Sequence, residues 1–125
     1  MELDKKEINI DVRDKTFRIS FVSNWVVYQF EKMNQKLIKL QELYEKLESF
    51  PPKDEIKKLA DEIKDMGSGL LDERLEIVKE VLESNDIEFD RKWWEKKTDG
   101  NDVARFLSFC VFKDAINSKK KAQGK

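Results

Sequence analysis

Apolar and polar residues alternate at the start of the chain. Ile8, Ile10 and Val12 alternate with Glu7, Asn9 and Asp11, and Phe17, Ile19 and Phe21 alternate with Arg18 and Ser20. The polar stretch Arg13-Asp14-Lys15-Thr16 lies between the two runs. Period-2 patterning on both sides of a turn predicts a β-hairpin over 7–22. The turn carries no glycine, so its type is not legible. One face of the hairpin is apolar. A lone hairpin is marginal in water, so that face must lie against helices or against a strand of another copy.

At Ser23 the period changes. Val26, Phe30, Met33, Leu37, Leu40, Tyr44 and Leu47 follow one another at alternating spacings of four and three. This is a heptad stripe, and it predicts a long helix over 23–50. Ser23 or Asn24 can cap its start, and Pro51-Pro52 stops it. Such a helix would be about 40 Å long at about 1.5 Å per residue. Ile56, Leu59, Ile63 and Met66 repeat the spacing over 56–66, with Asp54 and Glu55 placed to suit a helix dipole. The short Pro-Pro link predicts that this second helix folds back on the first.

Gly67-Ser68-Gly69 reads as a helix stop followed by a serine cap. It lacks the Gly-Lys-Ser/Thr that would make it a phosphate loop. A third helix over 70–84 carries Leu71, Leu75, Val78 and Leu82 on one face. Asp90-Arg91-Lys92-Trp93-Trp94-Glu95 reads as a short capped helix. Polar residues 98–102 separate it from a last helix over 103–118. The expected fold is therefore mainly α: a helical bundle with a long N-terminal heptad helix and an N-terminal β-hairpin. One helical domain is expected over 1–118, with a basic tail over 119–125.

The last helix has two apolar stripes. Val103, Phe106, Leu107, Cys110 and Val111 form one, and Phe109, Phe112 and Ile116 form another beside Arg105 and Ser108. One stripe suffices for a core. The second is either buried by the hairpin or the long helix, or offered to a partner. Trp93 and Trp94 point to different sides of their helix, so one can anchor the core while the other stays near the surface, where aromatics make good binding anchors. Trp93, Trp94, Phe109, Phe112 and Ile116 are the candidate partner-binding residues. Together with the apolar hairpin, the second stripe raises self-association as an option.

Composition then narrows the chemistry. Charged residues make up 41% of the 125-residue chain, yet 25 basic and 26 acidic residues are interleaved, as on solvated helices. The net charge of −1 does not favour nucleic acid as a partner. The sequence has no histidine and a single cysteine, Cys110, set among Phe109, Val111 and Phe112. That removes the commonest general base and metal ligand, and it suggests a buried, inert thiol. No catalytic residue, metal ligand or cofactor site is expected, and the protein is read as no enzyme. The charged start and the lack of a long apolar run suggest a cytoplasmic protein without leader or membrane span.

The order of elements resembles the tail assembly chaperones of long-tailed phages and prophages. The likeness rests on the hairpin Glu7-Ile8-Asn9-Ile10-Asp11-Val12 and Thr16-Phe17-Arg18-Ile19-Ser20-Phe21, and on a helical body. It continues through Phe89-Asp90-Arg91-Lys92-Trp93-Trp94-Glu95, Asp102-Val103-Ala104-Arg105-Phe106-Leu107 and Lys113-Asp114. The resemblance implies a non-enzymatic protein that binds the tape measure protein, keeps its amphipathic helices soluble and helps recruit tail-tube subunits. It also implies that Lys119-Lys120-Lys121 could be encoded by a slippery run that yields a longer form. The alternative reading is a small phage or bacterial regulator or inhibitor that binds a host protein or nucleic acid.

Overall fold

The computed structural model describes residues 7–113. Within them the chain is mainly α, with a two-stranded antiparallel hairpin at its start. Strands β1 (Ile8–Val12) and β2 (Lys15–Ile19) pair with Val12 opposite Lys15, Ile10 opposite Phe17 and Ile8 opposite Ile19. The turn is therefore the two residues Arg13 and Asp14. Arg13 takes the positive φ of 56° that a glycine would have signalled. Its side chain offsets this cost by reaching the last helix, where Nε donates to Asp102 Oδ2 at 2.7 Å and an NH2 donates to Asp99 Oδ2 at 3.2 Å.

β2 ends earlier than the alternation suggests. The Oδ1 of Asn85 accepts from the backbone N–H groups of Ser20 and Phe21, each at 2.9 Å, while its Nδ2 donates to the carbonyls of Phe21 and Val81. This clamp turns the chain out of the strand. Phe21 consequently lies exposed rather than on the core face.

Helix α1 (Asn24–Glu48) starts where the pattern places it, with Ser23 as N-cap accepting from the Val26 N–H. Val26, Phe30 and Met33 are buried, and Leu37, Leu40 and Leu47 are half-buried. The heptad fails at Tyr44, which is exposed, and Leu43 is buried in its place. Tyr44 lies in line with Val26, five full turns further along at about 3.6 residues per turn, so helix geometry does not take it off that face. The buried face changes because α2 packs on the later part of α1.

Helix α2 (Lys53–Gly67) begins earlier than its apolar spacing suggests, because the Pro52 carbonyl already accepts from Glu55 and Ile56. It folds back on α1. Leu59, Ile63 and Met66 are half-buried there, and no α2 residue is fully buried. The expected serine cap after it does not form. Ser68 closes α2 through its backbone N–H to Lys64, and Gly69, at φ 77°, is the N-cap of α3 (Leu70–Ser84).

The bounds of α3 agree with the pattern, but its buried face does not. Leu75, Ile77, Val78, Val81 and Leu82 are buried, while Leu71 is exposed. α3 packs against both α1 and the last helix, so two flanks are covered rather than one stripe. Helix α4 (Arg91–Lys97) is capped by Asp90, and α5 (Gly100–Val111) by a reciprocal pair: Asp99 accepts from the Asp102 N–H, and Asp102 accepts from the Asp99 N–H. That capping box starts α5 inside the stretch that reads as a polar linker. α5 ends at Val111 with Phe112 as C-cap in a turn, and Lys113 is again helical. The part of the expected helix over 103–118 beyond Lys113, and the basic tail over 119–125, lie outside the described residues.

The main core joins the apolar face of the hairpin to α3, α4, α5 and the first half of α1. Phe17 sits at its centre, 5.4 Å from the Trp94 ring and 5.6 Å from the Phe106 ring. Leu43 is only 2% exposed yet does not belong to this core. The second half of α1 and α2 therefore form a separate apolar cluster.

Candidate protein-interaction surface

The five sequence candidates have different fates. Trp94 is 2% exposed and packs between Phe17 and Phe106, so it is the core member of the tryptophan pair and offers no surface. Trp93 is half-buried. Its ring meets Phe17 and Trp94 edge-on, and the Lys15 ammonium lies 4.5 Å from its centroid. Phe109 is also half-buried, with the Arg105 guanidinium 5.8 Å from its ring. Arg105 is held in place by donating to the Asp11 carbonyl at 2.6 Å, which ties α5 to the outer edge of β1. Phe112 is 55% exposed and meets Phe30 of α1 edge-on at 6.2 Å. Ile116 lies outside the described residues.

Of the two stripes on the last helix, the first is the core face. Val103, Phe106, Leu107 and Cys110 are buried, and Val111 is half-buried. The second is divided: the long helix covers one edge of Phe112 and leaves the other to solvent.

The structure adds apolar residues that the stripes did not mark. Trp25 and Tyr28 are exposed one turn apart on α1, off its buried face. Their spacing of three, away from the heptad positions, is a visible signal of a second apolar strip. Ile38 and Phe50 are exposed on the α1–α2 arm, and so is Ile56, which the spacing of the second helix places on its apolar stripe. Phe50 stands out, because it is 93% exposed and its φ is 57°. Bulky residues rarely take that conformation, and here no burial compensates for it. Nothing in its sequence position separates it from an ordinary helix end.

Titratable groups serve structure at the sites where they converge. Asp99 and Asp102 are committed to the α5 cap and to Arg13. The hydrogen bond from the Asp99 N–H, and then the Arg13 guanidinium, hold the Asp102 carboxyl below its ordinary range. Burial pushes the Cys110 thiol up, so its nucleophilic thiolate is suppressed. Burial also lowers the pKa of Arg74, whose Nε is enclosed without a hydrogen-bond partner. Among the described residues no group of three or more carboxylates and thiols is placed to hold a metal ion, and no helix is long and apolar enough to cross a membrane. An open cleft of about 520 Å³ beside β2 is walled by charges of both signs, Lys15 and Arg18 on one side and Glu88 and Asp90 on the other.

No protein-family model, no curated protein and no solved structure matches this chain.

Proposed function

We propose that the protein is a non-enzymatic assembly chaperone of the phage-tail type, acting by binding another protein. Its partners would be the amphipathic helices of a tape measure protein and the tail-tube subunits recruited to them. The observation that carries this reading is the set of large apolar side chains left in solvent on an otherwise charged surface: Phe21, Trp25, Tyr28, Phe50 and Phe112. Aromatics at well-packed, desolvated positions dominate binding energy at interfaces, whereas scattered charges around them keep the free protein soluble. Amphipathic helices dock on such surfaces through apolar anchors at helical spacing.

The test is capture of the tape measure chain on co-expression. Phe112→Glu leaves the fold intact, because the ring is half in solvent, and lowers affinity by about 2 kcal/mol if Phe112 is an anchor. Circular dichroism accompanies the pull-down. Unchanged capture by Phe112→Glu removes Phe112 from the set of partner contacts, and loss of helix together with loss of capture means that the ring is needed for folding.

A further inference from the structure

We propose that the outward face of α1, from Trp25 to Lys39, is a docking surface for an acidic amphipathic helix of the partner. The existence of that partner rests on the chaperone reading. The face and its charge preference are properties of α1 itself.

Trp25, Tyr28, Lys32, Gln35, Lys36 and Lys39 fall within one arc of about 100° on a helix of about 3.6 residues per turn. All of them are exposed, and none belongs to the main core. The arc extends about 20 Å along the helix at about 1.5 Å per residue. Its aromatics stand at one end, where Trp25 is 46% exposed and Tyr28 57%. From there on the arc is basic or neutral. The Lys32 ammonium lies 5.2 Å from the centroid of the Tyr28 ring. Lys36 is held by Glu73 of α3, with Nζ–O distances of 2.8 and 2.9 Å. Among the described residues no carboxylate pairs with Lys32 or Lys39. The acidic residue within this stretch of α1, Glu31, lies about 60° round the helix from Tyr28, outside the arc. The first turn of α1 carries no acid either, so the helix dipole adds positive potential at the aromatic end.

The charge selects the occupant. The chain interleaves 25 basic and 26 acidic residues, so an arc with lysines and no carboxylate is a local exception. Its complement is a helix with apolar residues at three-four spacing flanked by carboxylates. The Trp25 and Tyr28 rings take the apolar side chains, and Lys32 and Lys39 meet the carboxylates. Single-stranded nucleic acid also joins negative charge to faces that stack on aromatics. The net charge of −1 opposes it, because phosphate binding needs a surplus of cations over a wider surface. A protein helix needs the local arc alone.

The probes are two labelled synthetic helices with leucines at three-four spacing, titrated into the full chain. One carries glutamates and alanines elsewhere, and its twin carries lysines in place of the glutamates. The glutamate peptide should bind, more weakly as salt rises, and the lysine peptide should not. The double variant Lys32→Glu/Lys39→Glu should weaken the glutamate peptide by about tenfold and gain affinity for the lysine peptide. Trp25→Ala should weaken the glutamate peptide by about tenfold as well. Lys92→Glu/Lys96→Glu makes the same charge change on exposed residues of α4 and should leave binding unchanged. Circular dichroism checks the fold of each variant. The lysine variants change only exposed side chains, so they decide the matter even if Trp25→Ala unfolds. The proposal is overturned by a glutamate peptide that does not bind, by an equal loss in the α4 variant, or by no switch toward the lysine peptide. A single-stranded oligothymidylate that binds more tightly than the glutamate peptide, through the same lysines, also overturns it. Because the peptides contain no tail sequence, their failure removes the α1 face alone. Peptide binding without tape measure capture removes the chaperone reading alone.

Discussion

Individual residues carry the strongest departures from local preference, and each has a partner or a cost. Arg13 adopts a left-handed turn conformation and is compensated by the two carboxylates at the start of α5. Phe50 adopts the same conformation with no compensation. The left-handed region costs a non-glycine residue about 1–2 kcal/mol. Phe50→Gly should therefore stabilise the protein, by about 1 kcal/mol in urea denaturation once the extra chain entropy of glycine is set against it. A loss of stability would mean that the ring makes contacts which the fold needs. Asp102 gives a second residue-level prediction. Its pKa is lower in the folded chain than in the unfolded one, so its contribution is present above the ordinary aspartate value and is lost as pH falls through the folded value. Stability should decline below about pH 4, and Asp102→Asn should flatten that acidic limb. A limb of unchanged slope in the variant would place the acid sensitivity elsewhere. The tryptophan pair was legible to the extent that adjacent helix positions must face different ways. Which of the two is buried depends on Phe17 and Phe106, which come from distant parts of the chain.

At the scale of elements, the pattern of apolar spacing locates the hairpin, the long helix, the folded-back helix and α3, because each carries apolar residues at its own period. It erred where packing changes along an element. α1 leaves the main core and meets α2 partway along its length, so the heptad register passes from Tyr44 to Leu43. α3 is covered on two flanks, so Ile77 and Val81 join the buried set that a single stripe cannot contain. α5 starts at a capping box, visible in principle as Asp99 three residues before Asp102, although the flanking Gly100 and Asn101 read as loop. The same distribution of burial sets relative stabilities. Amide exchange in α2 should be faster than in α3 by orders of magnitude, with α3 exchanging only through global unfolding. Equal protection of the two helices would mean that α2 and the core open as one unit.

For the molecule as a whole, two properties stand together: a packed core of hairpin and helices, and a charged surface interrupted by exposed aromatic side chains. The first was read from periodicity. The exposed set was legible only in part, since Phe112 belongs to a visible stripe whereas Phe50 and Phe21 are exposed by backbone turns that no spacing encodes. A protein built to bind a long amphipathic chain needs both properties. The proposed chaperone role is tested most directly by co-expression with a phage tape measure protein, with the soluble fraction analysed by size-exclusion chromatography. The account predicts that the tape measure chain stays soluble only when this protein is present, and that the two elute together. A tape measure chain that aggregates equally with and without it, while this protein elutes alone and folded, would contradict the account.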